Sequence, residues 1–94
     1  MAVYRITQFT ASDMDKASEM TEEMRSMLEG VGADFIDVVS YGGGQGMVVA
    51  RYPDKETMDA ASETAKQAFG TLVAAGVIEG GSINPQTGEV INSF

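Results

Sequence analysis

The stretch that decides the fold is DFIDVVSYGGGQGMVVARY, residues 34–52. On both sides of its glycine run, the residues alternate and are rich in Val, Ile, Phe and Tyr, which is typical of strands. A short gap rich in Gly between two such runs indicates a β-hairpin. The run from Gly42 to Gly46 lacks the Gly-Lys-Ser/Thr ending of a phosphate-binding loop. We therefore predict two antiparallel strands, over 34–41 and 47–52.

A strand and a helix precede this hairpin. Residues Ala2 to Thr10 alternate and predict a first strand. Ser12 is placed to cap a helix, whose apolar stripe recurs at spacings of three and four from Met14 to Val31. Gly30 and Gly32 are predicted to end the helix, one of them in the left-handed conformation.

After the hairpin the chain repeats the order of helix and strand. Asp54 is the predicted N-cap of the second helix, and Gly76 follows its end. The apolar run from Val77 to Asn84 predicts a fourth strand, and Pro85 to Gly88 a turn. Residues 89–94 are predicted to be a C-terminal tail or a short fifth strand. We expect this segment to dock against an edge strand, on its own subunit or on a partner.

The resulting order, β-α-β-β-α-β with a tail, predicts one α+β domain over residues 1–94 of the ferredoxin-like kind. Both helices connect strands of one sheet. They are therefore expected on one face of a four-stranded antiparallel sheet.

Composition restricts the partners and the chemistry. The formal net charge is −8, and such a surface repels nucleic acid and anionic membranes. With no Cys and no His, the chain cannot form a Cys/His zinc site, and we expect no cofactor. Because the first residues run directly into a strand pattern, without a signal-like apolar segment, we predict a cytoplasmic protein.

Side-chain alternation divides each predicted strand into two sets. The uncharged sets are predicted to face the helices, since an unpaired charge beneath a helix is costly; their members include Ile6, Ile36, Val38, Val48 and Ala50. The other sets place three charged residues, Arg5, Asp37 and Arg51, among apolar ones: Val3, Phe9, Phe35, Val39, Tyr41, Met47 and Val49. A sheet face in water is normally more polar, so a partner or a ligand is expected to cover this one.

A short βαββαβ chain with an apolar second sheet face and a C-terminal extension resembles the dimeric α/β-barrel superfamily. That group includes antibiotic-biosynthesis-monooxygenase-like and stress-responsive barrel proteins. The resemblance implies a homodimer in which two sheets pack face to face, with a cleft for small molecules beside each sheet. It transfers no functional residue, because the His and Trp used by several members are absent here.

The candidate ligand-binding residues are Arg5, Asp37, Tyr41 and Arg51. If Asp37 lies opposite Arg51, these two and Arg5 form one polar row, and the surplus Arg is available for a carboxylate or enolate. The alternative is a row of ion pairs at a dimer interface. Tyr41 either donates a hydrogen bond to a ligand or packs its ring with its hydroxyl satisfied.

The first hypothesis for function is a small homodimeric barrel protein that binds a small apolar or anionic organic molecule. A second is a cofactor-independent monooxygenase or isomerase that uses an Arg to stabilise anionic charge. A third is a structural or regulatory interaction module. A cavity on the charged face, lined by Arg5, Tyr41 or Arg51, would favour the first two.

Overall fold

The computed structural model describes residues 1–94. Its four strands are β1 (Val3–Thr10), β2 (Phe35–Gly42), β3 (Gln45–Tyr52) and β4 (Asn84–Glu89). They form one antiparallel sheet in the order β2-β3-β1-β4. Between β1 and β2 lie α1 (Met14–Glu23) and α2 (Arg25–Glu29), and between β3 and β4 lie α3 (Lys55–Ala60) and α4 (Ser62–Ala74). This is the predicted ferredoxin-like βαββαβ fold, with each predicted helix divided in two.

The helix starts follow local capping chemistry. Asp13 caps α1 and accepts a hydrogen bond from the Lys16 amide at 3.0 Å. The predicted cap, Ser12, is wrong by one residue. Asp54 caps α3 as predicted, accepting from the Thr57 amide at 2.8 Å. None of the helices combines the length and apolar character needed to cross a bilayer.

The helical segments end as the glycines predict. Gly32 and Gly76 have φ of +83° and +75°, the left-handed region that a residue without Cβ adopts freely. The Gly76 carbonyl accepts a hydrogen bond of 2.5 Å from the Ser12 hydroxyl. This contact ties the end of α4 to the start of α1.

The last strand lies later in the chain than predicted. Val77 and Ile78 are buried, but the only strand-like pairing there is an isolated bridge between Ile78 and Ala11. A 3₁₀ turn over Gly80–Ser82 follows, and β4 begins at Asn84. The predicted strand over 77–84 and the predicted turn over 85–88 are therefore wrong. Pro85 is compatible with β4 because β4 is an edge strand.

Residues 90–94 form a tail without regular structure. The Val90 amide donates to the Ala2 carbonyl at 2.9 Å, which continues the direction of β4 for one residue. Beyond it, Ile91 and Phe94 are almost completely exposed.

The four helices cover one face of the sheet, here called the covered face. In β1 it carries Val3, Arg5, Thr7 and Phe9, of which all but Arg5 are buried. The prediction for β1 was therefore wrong: Ile6 faces the other way. For β2 and β3 it was right, because Ile36, Val38, Val48 and Ala50 lie on the covered side.

The opposite side of the sheet, here called the open face, carries no helix. Its strand positions are given by the alternation and the strand registers: Tyr4, Ile6, Gln8, Phe35, Asp37, Val39, Met47, Val49 and Arg51. Tyr4 and Phe35 pack edge to face, with ring centroids 6.1 Å apart. Despite the correction to β1, this face remains largely apolar over β1, β2 and β3, whereas β4 adds Asn84, Gln86 and Gly88 at one edge.

The core consists of two separate clusters beneath the helices. The first contains Phe9, Ala11, Ala17, Leu72, Val77 and Ile78. The second contains Val3, Ala50, Tyr52, Met58 and Ala61. Phe9 and Val3 stand near opposite ends of β1, about 20 Å apart at the usual rise per strand residue. Domains of this size usually have one continuous core, so the region between the clusters needs an explanation.

Candidate ligand-binding cavity

A cavity of about 100 Å³ occupies the covered face between the two core clusters. Phe9 and Leu72 of the first cluster and Ala50 and Tyr52 of the second contribute to its walls. Fifteen of its 19 lining residues are hydrophobic. An engineered apolar cavity of about 150 Å³ holds benzene. The space is therefore of the order needed for one small ring.

Small side chains on two helices create this space. Ala17 and Ser18 of α1 and Ala65 and Ala68 of α4 all line the cavity. Larger apolar residues at these positions would reach into the space above the sheet. The cavity is therefore encoded by the choice of small residues on helix faces that are directed toward the core.

Arg5 is the one charged residue that lines the cavity. Its Nη2 donates to the Met58 carbonyl at 3.1 Å and to the Ser62 hydroxyl at 2.6 Å. The guanidinium carbon lies 5.8 Å from the centroid of the Tyr52 ring, within cation–π range. Nη1 is buried and has no hydrogen-bond partner. A buried donor without a partner carries a desolvation cost that native structures rarely leave uncompensated.

Tyr52 is a neutral partner for this guanidinium. Burial raises the pKa of the Tyr52 hydroxyl above its ordinary value, while the positive charge of Arg5 acts in the opposite, weaker direction. The hydroxyl therefore keeps its proton at neutral pH. Its ring forms an aromatic wall of the cavity beside Arg5.

Two grooves adjoin the cavity. The α1–β2 groove, between α1, α2 and β2, shares Met14, Thr21 and Val38 with the cavity. The α4–β4 groove, between α4 and the β4 side of the sheet, shares Arg5 and Phe69 with it. The cavity thus lies between two surface depressions on opposite sides of the helix layer.

The two grooves differ in charge. The α1–β2 groove carries five acidic residues: Asp15, Glu22, Glu29, Asp34 and Asp37. Its only basic residue, Arg25, pairs with Glu22 at 2.7 Å and with Glu29 at 3.2 Å. The α4–β4 groove carries Arg5 and Lys66 and no acidic residue. In a chain with a net charge of −8, this basic groove is the exception.

The predicted polar row of Arg5, Asp37 and Arg51 does not form. Arg5 lies on the covered face, whereas the other two lie on the open face. The hairpin register, which shifts between Ser40 and Gly42, places Asp37 opposite Val49. Arg51 forms an ion pair with Asp34 instead.

Tyr41 lies apart from the cavity. It is 62% exposed, and its hydroxyl donates to the Met47 sulfur at 3.3 Å. Of the four predicted site residues, only Arg5 therefore lines the cavity, which lies on the covered face and not on the open face. No group of three or more acidic side chains is arranged to hold a metal ion.

No protein-family model matches the sequence, and no curated protein matches it. Solved structures do match its fold. SnoaB, a cofactor-independent oxygenase from Streptomyces nogalater solved as a mutant, superposes with a TM-score of 0.75 at 9% identity, over 98% of this chain and 95% of that one. Rv0793 from Mycobacterium tuberculosis gives a TM-score of 0.65 at 15% identity, over 99% and 98% of the two chains.

A dimeric ferredoxin-like protein from an uncultured marine organism gives a TM-score of 0.64 at 16% identity, over 100% of this chain and 98% of that one. At these identities the similarity concerns the fold. It confirms the ferredoxin-like βαββαβ fold that the sequence predicted.

Proposed function

We propose that the chain binds a small, mainly apolar organic molecule in the cavity between the covered face and the helices. The observation that carries this proposal is the apolar space between two core clusters. A small domain has little stability to spare, so a retained space of this kind points to a ligand.

Methionine methyl NMR tests the proposal with benzyl alcohol as a neutral, ring-sized probe. Met14 and Met24 line the cavity, while Met47 lies on the open face and serves as an internal control. We expect benzyl alcohol to shift the methyl signals of Met14 and Met24 and to leave that of Met47 in place. An absence of shifts at Met14 and Met24, or equal shifts at all methionines, would contradict the proposal.

A cavity-filling variant sharpens this test. Ala68→Leu places a larger side chain at a cavity wall that is only 8% exposed. We expect it to abolish the shifts caused by benzyl alcohol. Ala60→Leu makes the same change on the exposed surface of α3 and is the matched control, which should keep them.

Catalysis without a cofactor is the second candidate function. It is favoured by a guanidinium beside an apolar cavity, which is suited to stabilising an enolate. The similarity in fold to a cofactor-independent oxygenase supports it further. Native mass spectrometry of the purified protein, before and after exposure to oxygen, tests this function. A retained molecule whose mass rises by O₂, or by O₂ less the water released when CH₂ becomes C=O, supports it, whereas a retained molecule of unchanged mass contradicts oxygenation.

We also propose that two copies pair through the open face. The apolar character of that face and the dimeric state of a ferredoxin-like protein of the same fold support this pairing. A structural or regulatory role stays a hypothesis. It would be carried out by the open face, without the cavity. The cytoplasmic location stays a prediction.

A further inference from the structure

Arg5 is a cation without an anion. None of the four ion pairs of the chain involves it. Its contacts are a carbonyl, a hydroxyl and an aromatic ring, all neutral, and Nη1 has no partner. The side chain as a whole is only partly buried, but charges withdrawn from water are normally paired, because a neutral environment replaces only part of the lost hydration. An anionic oxygen at the guanidinium would supply the missing charge, and a rotation of the group would bring Nη1 into a hydrogen bond with that oxygen.

The rest of the cavity limits the size and polarity of that anion. Four of the 19 lining residues are not hydrophobic, and Arg5 is the only basic one. A sugar phosphate or a dicarboxylate would place a second negative charge among apolar walls and the hydroxyls of Thr7, Ser18 and Thr21, with no second cation to pair with it. A monocarboxylate with one ring or a short apolar chain fits the site, because its single charge pairs with Arg5 and its apolar part packs against the apolar walls.

The charges of the two grooves favour one route of entry. The five carboxylates of the α1–β2 groove repel an approaching anion. The α4–β4 groove contains Lys66 and the Arg5 side chain itself, without an acidic residue. An anion that enters there meets the positive charges of Lys66 and of the Arg5 guanidinium.

From these three observations we infer that the ligand is a small apolar monocarboxylate, which enters by the α4–β4 groove and pairs its carboxylate with the guanidinium of Arg5. The inference rests on the proposed binding function. It adds the chemical class of the ligand, the residue that selects it and its path to the cavity.

Benzoate and benzyl alcohol, which share a ring and differ in charge, test the ligand class. Both are titrated against the same Met14 and Met24 methyl signals of the unmodified chain. A hydrogen bond to a charged group predicts that benzoate binds roughly ten- to a hundredfold more tightly. Equal affinities, or tighter binding of benzyl alcohol, would overturn the inference and leave the proposed function standing. Failure of both probes to bind would overturn the two together.

Arg5→Met tests the selecting residue. The Ser62 hydroxyl already donates to the Met58 carbonyl at 3.4 Å, so these two groups keep a partner when the guanidinium is removed. We expect this variant to bind benzyl alcohol and to lose its preference for benzoate. Arg51→Met, on the open face, is the matched control and should keep the preference. A preference that survives Arg5→Met would overturn the assignment to Arg5.

Lys66→Glu tests the route. At low ionic strength, where surface charges act over tens of ångströms, we expect it to slow the association of benzoate several-fold and that of benzyl alcohol little. Lys16→Glu on α1 changes the net charge equally but lies outside the α4–β4 groove. Equal slowing of benzoate by the two variants would show that the groove does not guide the anion.

Discussion

The two faces of the sheet each carry one arginine, and the two arginines are in opposite situations. Arg51, on the open face, has a side chain that is 39% exposed and is paired with Asp34. Arg5, beneath the helices, has neutral partners and one buried nitrogen without any. A charge in a strand therefore does not indicate which face meets water. The aliphatic part of an Arg side chain packs well in a core, and its head group needs only suitable partners.

The faces also differ in how their apolar residues are used. On the covered face they form two clusters with a ring-sized space between them. On the open face they have nothing above them in a single chain, and Phe35 and Val39 are both 38% exposed. A small space within a core suits a small molecule, and a broad exposed layer suits another protein surface.

The largest effect is expected from a charge in the middle of the open face. Val49 lies opposite Ile6 and Asp37, at the centre of the sheet. Val49→Glu would place a carboxylate near Asp37 and leave it unpaired in the proposed dimer interface. A buried unpaired charge of this kind costs several kcal/mol, which weakens association at least about a hundredfold. Sedimentation velocity at micromolar concentration should find a dimer for the unmodified chain and a monomer for this variant.

Gln67→Glu is the control for that measurement, since it adds the same charge on the exposed side of α4. We expect it to remain dimeric. If the unmodified chain sediments as a monomer, or if Val49→Glu remains a dimer, the open face is not the interface.

The sequence predicted the order of the elements because alternation and helical periodicity are local signals. It misplaced β4 because Val77 and Ile78, which are buried in the first core cluster, have the apolar character of a strand. Pro85 and Gly88 resembled a turn, and an edge position is what allows them in a strand. Only the neighbouring strands reveal that position.

The candidate site was predicted in part. Arg5 was selected from the sequence, but it was placed on the wrong face because we took a charge beneath a helix to be excluded. The partners that make its burial possible, Met58 and Ser62, are more than 50 positions away in the chain. The cavity depends in the same way on small residues such as Ala17 and Ala68, which are brought together from distant helices. No local sequence pattern encodes contacts between residues so far apart in the chain.

A smaller effect is expected from the tail. Within a single chain, Ile91 and Phe94 are almost completely exposed, so they contribute little to its stability. If they dock on an edge strand of a partner, burying each contributes about 1.5–3 kcal/mol before ordering costs. Removal of residues 91–94, which spares β4 and the amide of Val90, should therefore weaken the dimer by about tenfold or more.

The same truncation in the Val49→Glu background is the control for the tail. Because that chain is expected to be monomeric, its melting temperature should not change. A dimer constant unaffected by the truncation would show that the tail does not contact the partner. A lower melting temperature of the monomeric variant would place its contacts within one subunit.

The smallest effect is expected at two glycines. Gly46 lies in the packed core beneath the helices, and Gly70 lies on the exposed surface of α4. A Cβ at Gly70, in α4, would meet no heavy atom within 4 Å, whereas a Cβ at Gly46 would lie 2.5 Å from the ring of Phe9. Alanine is favoured over glycine in a helix by about 0.5–1 kcal/mol. Gly70→Ala should therefore raise the melting temperature by roughly 2–8 °C in a domain of this size. Gly46→Ala should lower it, because Phe9 must move within the first core cluster. Thermal unfolding of both variants by circular dichroism checks the pair. Equal stability of Gly46→Ala and the unmodified chain would mean that Phe9 has free space beside it, and that the first cluster is packed more loosely than its burial indicates.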